Sequence, residues 1–344
     1  MVLASEMLTR EFHARALYVI LRCIMRIIKK LLFGLATLLV VIYVGLCAYA
    51  YWPTAPEVPA RSLATADDRF IGVNGVQLRY RRYGTAAVGK PQLLLIHGFA
   101  NSLQSWRLLA PLLAGCCDVV AIDMPGYGLS DKPEQFDYHN GPQAALMVAA
   151  AHALGLSHPI YVGHSLGGAI ALQAAVKDSA ATGLVLMNPG IISTGVPKIV
   201  QLTVPPLPRL SARQFGSRSF RERFLKLSYI HPDIITPAVI DAVMLGARSA
   251  GYMTGMTSLM QQYSEGEEIA LAPRVHVPVL IAWGNRDRNK PLSEADQLQR
   301  LLPGSRLVRF DDAGHYVHEE APAGVASAIQ NWLSGVGFRA ADAL

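Results

Sequence analysis

The sequence predicts an α/β protein: a mostly parallel, eight-stranded sheet with helices on both faces and a helical cap insertion, preceded by one N-terminal transmembrane helix. From about residue 69, short runs of β-branched and apolar residues alternate with helical stretches, the pattern of a parallel sheet covered on both sides. An interval of about ninety residues interrupts this alternation once. With 344 residues, 51% of them hydrophobic, the chain can bury one large core.

Residues 31–52 form the predicted membrane helix, because their first twenty positions carry no charge and a helix needs ~20 residues to cross ~30 Å of hydrocarbon. Tyr51 and Trp52 lie where an interfacial aromatic belt would be, and Pro53 would end the helix. The positive charges closest to its N-terminal side are Arg22, Arg26, Lys29 and Lys30. They predict that residues 1–30 are cytoplasmic and that the C-terminal domain is non-cytoplasmic, periplasmic in a bacterium.

Several features of this N-terminal region leave alternatives open. An A-x-A sequence at 48–50 resembles a cleavage site, although the apolar stretch exceeds the ~7–15 residues of a signal-peptide core. Lipid attachment at Cys47 is disfavoured because a large Leu precedes it. Residues 1–24 could be an extension upstream of a natural start at Met25. Residues 53–68, rich in Pro and Ala, are expected to form a short, stiff linker.

Charge and cysteine content exclude two classes of protein. The net charge of +6 divides evenly, with six Lys/Arg against three Glu before residue 61 and +3 over the remainder. Neither part has the clustered basic stripe of a nucleic-acid-binding surface. Two of the four cysteines lie in or near the apolar segment, and Cys116 and Cys117 are adjacent. This arrangement is not a disulfide framework.

The predicted sheet opens with a hairpin. Asn74-Gly75, which tolerates the positive φ angles of a two-residue turn, separates strand candidates at 70–73 and 76–83. Six further apolar runs are buried-strand candidates, each followed by a turn and a helical stretch. They cover residues 92–96, 118–122, 160–162, 183–187, 279–283 and 306–310.

The long interval between the strand ending near Asn188 and the strand beginning at Val279 far exceeds the ~2–6 residues of an ordinary connection. We expect a helical cap at about 190–272, within a domain spanning 69–338. Its basic side chains lie among three phenylalanines and would suit an anionic membrane surface; the alternative is a solvated helix face. They are Arg209, Arg213, Arg218, Arg221, Arg223 and Lys226.

Residues 163–168 read Gly-His-Ser-Leu-Gly-Gly between an apolar strand and a helical stretch. This context fits the G-x-S-x-G nucleophile elbow, with Ser165 on a strained turn. The flanking glycines would let strand and helix approach each other closely. A glycine-rich turn before a helix could instead bind an anion, but the strand–turn–helix context favours a nucleophilic Ser165.

A serine nucleophile needs a base within ~2.6–3.2 Å of its hydroxyl. His315 is the predicted base, because it follows the last strand in a loop that would reach the C-terminal edge of the sheet. His318 is the alternative. It falls in a predicted helix beside Glu319 and Glu320, so we expect it to be solvated or to support the base rather than replace it.

The imidazole in turn needs a carboxylate that fixes its tautomer and stabilises its cation. Asp287 follows strand 279–283, and the chain order Ser, Asp, His is typical of the strand–elbow–helix architecture. The alternative for Asp287 is an ordinary turn residue. The other position for the acid, after the sixth strand, holds Asn188.

Two backbone N–H groups would complete the site by stabilising an oxyanion. One is predicted to come from Leu166, directly after the nucleophile. The other is predicted to come from Phe99, where Gly98 lets the chain turn inward after strand 92–96. His97 is expected to be structural and hydrogen-bonded within its loop.

Five ordered motifs resemble the α/β-hydrolase fold family over residues 70–334. They lie at 97–99, 123–130, 163–168, 284–287 and 314–315. The resemblance implies the fold and a triad of Ser165, Asp287 and His315, and it gives the segment after Asp123 a structural role. Members that dehalogenate or open epoxides carry Asp at the elbow, so the serine argues against those reactions.

Among the serine members, an anchor ahead of such a domain is similar to membrane-bound monoacylglycerol lipases and related esterases. The resemblance implies a membrane-anchored hydrolase that cleaves lipid or small-molecule carboxylic esters through an acyl-enzyme, without metal, organic cofactor or nucleic acid. Two alternatives stay open: a carbon–carbon bond hydrolase or cofactor-free perhydrolase of the same fold, and a catalytically silent membrane scaffold.

Overall fold

The computed structural model describes residues 2–85, 87, 89–194, 204–262, 264 and 266–337. The chain divides into two compact units between Pro53 and Thr54.

The first unit is one long helix, α1, over Val2–Tyr51. From Arg15 to Tyr51 it is long and apolar enough to cross a membrane, although a signal sequence near an N-terminus has the same character. Its large apolar side chains between Leu31 and Val44 are exposed in the isolated chain. The helix ends two residues before Pro53, whose ring cannot continue it.

The second unit is built on an eight-stranded sheet, which confirms the predicted fold. Strand order is β1-β2-β4-β3-β5-β6-β7-β8; β1/β2 and β2/β4 are antiparallel, and all other pairs are parallel. The hairpin turn has positive φ at Asn74 and Gly75, as predicted. The strands are β1 Arg69–Val73, β2 Val76–Tyr83, β3 Gln92–Ile96, β4 Asp118–Ile122, β5 Pro159–His164, β6 Gly183–Met187, β7 Val279–Gly284 and β8 Arg306–Phe310.

Helices cover both faces of the sheet. Alternate strand residues point to opposite sides, and the apolar ones on each side are buried under a helical layer. In β3, Leu94 and Ile96 belong to one buried layer, whereas Leu93 and Leu95 belong to the other. The first layer contains α3 (Asn140–Ala153), α4 (Leu166–Lys177) and α10 (Ser293–Leu301). The second contains α2 (Ala110–Leu113), α11 (Val317–Glu320) and α12 (Pro322–Gly335).

Between β6 and β7 the chain forms the helical insertion that its length indicated. The helices are α5 Leu207–Phe215, α6 Arg218–Ser228, α7 Pro237–Arg248, α8 Tyr252–Gln262 and α9 Glu268–Leu271. We refer to these helices and their connections as the cap. Residues 195–203, part of the predicted insertion, lie outside the described residues.

Part of the predicted linker binds to the cap. The Glu57 carboxylate accepts hydrogen bonds from the backbone N–H groups of Gly251 (2.7 Å) and Met253 (3.0 Å). Val58 forms a parallel bridge with Ser249. The chain is therefore fixed at the junction of α7 and α8 before it enters β1.

Candidate active site

Ser165 lies on a strained turn between β5 and α4, with φ 52° and ψ −119°. A non-glycine residue at positive φ is uncommon and marks local strain. Glycine is required on both sides. A Cβ on Gly163 would lie 2.1 Å from the carbonyl oxygen of Gly167, and one on Gly167 would lie 2.2 Å from that of Ile96. The strand–helix junction is therefore as close as the motif predicted.

The three side chains predicted to act together form one hydrogen-bonded chain. His315 Nε2 lies 3.0 Å from Ser165 Oγ, and His315 Nδ1 lies 2.7 Å from Asp287 Oδ2. The tautomer that satisfies both contacts has Nδ1–H donating to the carboxylate and Nε2 accepting the hydroxyl proton. The imidazole is buried and Ser165 is half-buried.

Asp287 is held by groups besides the imidazole. The Asn188 side-chain amide donates to its Oδ2 (2.8 Å), and the backbone N–H groups of Asn289 and Lys290 donate to its Oδ1 (2.7 and 3.1 Å). Burial alone would raise the pKa of Asp287, but His315 and the hydrogen bonds from Asn289 and Asn188 hold that pKa below its usual range. The carboxylate therefore stays ionised beside the imidazole.

Asn188 acts as a brace between two strand ends. It also accepts a hydrogen bond from the backbone N–H of Gly284 through its Oδ1 (3.0 Å). The position that could have held the acid thus orients the acid on the neighbouring strand. Asn188 was predicted to follow the sixth strand, but its contact with Asp287 was not predicted.

The loop after β3 lies against the elbow. A Cβ on Gly98 would be 3.1 Å from Ser165 Cβ, so the next peptide, which carries the Phe99 N–H, is beside the serine. Leu166 is the first residue of α4, and the first N–H groups of a helix have no partner within it. Both predicted oxyanion donors therefore belong to segments adjacent to Ser165.

His97 and Asp123 have structural contacts. The His97 ring contacts the carbonyl oxygen of Gly98 through Nδ1 (2.8 Å) and accepts the Met124 N–H at Nε2 (3.1 Å). The Asp123 carboxylate accepts hydrogen bonds from Arg79 Nε (2.6 Å) and from the two backbone N–H groups of Leu103 and Leu129. These contacts tie the loops after β3 and β4 together, as expected.

Behind the imidazole of His315 lies a layer of buried aromatic rings. His164 contacts the backbone oxygen of His315 through Nε2 (2.9 Å), and its ring lies 4.6 Å from that of His318. Burial lowers the pKa of both His164 and His318 well below the usual range. The expectation of a solvated His318 is wrong: the side chain is fully buried, and it packs against Trp106.

Glu320 connects the loop of His315 to the cap. Its carboxylate accepts the N–H groups of Gly314 (2.8 Å), His231 (2.9 Å) and Ile230. The first lies directly before the imidazole, and the other two lie between α6 and α7. Glu320 was predicted only to lie in a helix, because the residues around it in the sequence do not indicate a hydrogen-bond partner about ninety positions away.

The basic cap residues that were predicted to suit a membrane surface do not share one environment. Arg223 and Lys226 are exposed, and Lys226 pairs with Glu222 (2.7 Å). Arg221 is 4% exposed and donates to the carbonyl oxygens of Phe215 and Ala100. Assigning Arg221 to a basic outer surface was therefore wrong.

Within the described part of the chain, no cluster of three or more His, Cys, Asp or Glu side chains is placed to hold a metal ion.

Comparisons with known proteins agree with this architecture. A bacterial membrane phospholipase A of known structure is 26% identical, and the match covers 90% of this chain and 99% of that chain, with a TM-score of 0.63. The uncharacterized hydrolase YugF of Bacillus subtilis is 28% identical over 273 residues, 78% of this chain and 99% of its own length. Lipase 1 of Psychrobacter immobilis is 28% identical over 272 residues, 77% and 80% of the two chains.

The relatives thus agree on one kind of protein, a hydrolase with lipase-like neighbours. The family model for the α/β hydrolase fold matches residues 91–322, which is more than half of the chain and includes all five ordered motifs. The chain belongs to the α/β-hydrolase family.

Proposed function

We propose that this protein is a membrane-anchored serine hydrolase that cleaves carboxylic esters of lipids through an acyl-enzyme on Ser165. The observation that carries the proposal is the hydrogen-bonded chain from Ser165 through His315 to Asp287, with contacts of 3.0 and 2.7 Å. Nucleophile, base and orienting carboxylate come from three strand ends, the relation that acyl transfer requires.

In the acylation step, Ser165 Oγ attacks the ester carbonyl while His315 Nε2 takes the hydroxyl proton. Asp287 stabilises the imidazolium that forms. The N–H groups of Phe99 and Leu166 donate to the oxyanion of the tetrahedral intermediate. When the intermediate collapses, the ester C–O bond breaks, and His315 passes its proton to the departing alcohol.

Deacylation repeats the sequence with water as the nucleophile. His315 removes a proton from water as the oxygen attacks the acyl carbonyl, and the same two N–H groups stabilise the second oxyanion. Collapse returns the proton to Ser165 Oγ and releases the carboxylic acid. The chain's own residues perform every step of this cycle.

Two observations favour a lipid ester over a water-soluble ester as the substrate. Helix α1 has the length and apolarity of a membrane anchor, which would keep the site near lipid. The relatives include proteins described as a membrane phospholipase A and a lipase. A monoacylglycerol or a similar single-chain lipid ester is the substrate class that we infer.

The test is the initial hydrolysis rate of the full-length, detergent-solubilised protein on p-nitrophenyl esters of increasing acyl length. A Ser165→Ala variant supplies the background. We expect a Ser165-dependent rate that peaks at medium or long chains, followed by activity on monoacylglycerols. Absence of any Ser165-dependent rate would contradict the esterase proposal.

We also infer that residues 1–30 are cytoplasmic, that 31–52 cross the membrane, and that the hydrolase domain lies on the other side. The support is the Lys/Arg excess before the apolar segment. In a bacterial host, a C-terminal fusion to alkaline phosphatase, which folds only outside the cytoplasm, should be active. An inactive phosphatase together with a fluorescent C-terminal GFP fusion would reverse the topology.

A further inference from the structure

Arg221 is a buried cation of the cap that lies on the loop carrying a predicted oxyanion donor. Its guanidinium donates from Nε (3.1 Å) and Nη2 (2.7 Å) to the carbonyl oxygen of Phe215, and from Nη1 to that of Ala100. Phe215 ends α5 in the cap, whereas Ala100 lies in the loop after β3. One planar side chain therefore joins the cap to the loop beside Ser165.

This charge has an unusual environment. Arg221 is 4% exposed, yet among the described residues no carboxylate oxygen lies within 4.0 Å of its guanidinium. Burying an ionised side chain without a counter-ion costs free energy, and an apolar residue of similar size would avoid that cost. Only a side chain with several N–H donors, however, can bind two carbonyl oxygens at once.

The carbonyl oxygen that Arg221 holds belongs to a tight turn. The Asn101 N–H contacts the Gly98 oxygen (3.4 Å), so Phe99 and Ala100 are the two central residues of a four-residue turn. Ala100 has φ 56°, a conformation that disfavours a side chain. An external restraint on the Ala100 peptide therefore offsets a local tendency of the turn to relax.

We propose that Arg221 is a positioning residue by which the cap holds the Gly98–Asn101 turn in the conformation that presents the Phe99 N–H to the oxyanion. The proposal rests on the function proposed above. Since the restraint comes from the cap, full oxyanion stabilisation requires the cap to be seated on the turn. Arg221 itself contacts neither substrate nor the reacting atoms.

The hydrogen bonds to Phe215 would stabilise the C-terminal end of α5 even if Arg221 had no effect on the turn. The experiment therefore has to distinguish an effect on oxyanion stabilisation from an effect on the stability of the fold. Arg221→Gln removes the charge and the fork, and Arg221→Lys keeps the charge without the fork. Arg223→Gln, on the same helix but exposed, is the matched control. Each full-length variant is compared with wild type in detergent on one p-nitrophenyl ester.

We expect Arg221→Gln to lower kcat by about 10- to 100-fold with KM changed less than about threefold, because oxyanion contacts strengthen in the transition state. A trifluoromethyl ketone probes the same contacts, since Ser165 Oγ adds to its carbonyl, His315 takes the proton and an oxyanion forms. Its inhibition constant should rise by the same factor as kcat/KM falls. Arg223→Gln should leave both quantities unchanged.

An unchanged kcat and ketone affinity in a folded Arg221→Gln would overturn the proposal, as would an equal loss in Arg223→Gln. If Arg221→Gln does not fold, Arg221→Lys decides: a selective kcat loss supports positioning, and wild-type kcat contradicts it. Failure of the proposed function is distinguishable, because wild-type protein would then show no Ser165-dependent rate.

Discussion

The nucleophile elbow and the cap are held in place in opposite ways. At the elbow, strand, turn and helix are consecutive in the chain, and the close approach depends on Gly163 and Gly167. The cap is held to the sheet domain by apolar packing and by charged side chains whose partners lie far away in the sequence. Arg221 reaches Ala100, and Glu320 reaches His231. A local pattern therefore specifies the turn that carries Ser165, whereas contacts between residues far apart in the sequence specify the position of the cap.

The largest expected effect concerns the chemistry that the elbow supports. Asp287→Asn should lower kcat by about 10⁴-fold, because the amide no longer fixes the required tautomer or stabilises the imidazolium. Steady-state hydrolysis of a p-nitrophenyl ester measures the loss. Asp311→Asn is the matched control: Asp311 is exposed and contacts only Asn285 among the described side chains. Comparable losses in the two variants would show that Asp287 has no special role.

This comparison also explains which features the sequence could predict. The eight strands, the hairpin at Asn74 and the elbow at Ser165 follow from local periodicity and turn chemistry. His315 and Asp287 could be chosen because they follow particular strands. The brace formed by Asn188 could not be predicted, because its partner is 99 positions away and the contact depends on the order of strands in the sheet.

The cap was harder to predict for a physical reason. Its length indicated an insertion, but Arg221 has the local sequence of an exposed helix face and is nevertheless buried. The same is true of His318 and Glu319, which adjoin charged neighbours in sequence but are fully or almost fully buried. Whether a charged side chain is buried depends on distant partners, which local periodicity does not contain.

The second effect tests whether the elbow depends on close backbone approach. Gly167→Ala should destabilise the sheet domain by more than about 3 kcal/mol, because the added Cβ would lie 2.2 and 2.4 Å from the carbonyl oxygens of Ile96 and His97. Urea unfolding followed by tryptophan fluorescence measures the change. Gly115→Ala is the control, since its Cβ would meet nothing within 4 Å. Equal stability of the two variants would refute the steric argument.

A third effect concerns Lys132, which joins the loop after β4 to the cap. Its Nζ donates to the carbonyl oxygens of Gly128 (2.9 Å) and Ser130 (2.8 Å) and to Ser249 Oγ (2.7 Å). Burial lowers the pKa of Lys132 to about 8, from an ordinary value near 10.5. Between these values the unfolded chain binds more protons than the folded one, so the Lys132 contribution to stability should rise with pH.

Lys132→Met isolates that contribution. The free energy of unfolding of wild type relative to this variant should increase from pH 8 to pH 10.5 by at most about 3 kcal/mol, and it should be flat below pH 7. Urea unfolding of both proteins at matched pH values measures it. A difference that falls as pH rises would mean that the charged form is the one stabilised by the folded state.

The smallest effect concerns Glu320, which binds the loop of the His315 imidazole and the cap with the same carboxylate. Glu320→Gln leaves one oxygen acceptor and removes the charge, so stability should fall by about 1–2 kcal/mol. If the cap helps to order the site, kcat should also fall several-fold, whereas Glu222→Gln, at the surface of α6 where it pairs with Lys226, should change neither. A stability loss with wild-type kcat would mean that the His315 loop keeps its geometry without the cap, and it would confine the cap's influence on catalysis to the turn held by Arg221.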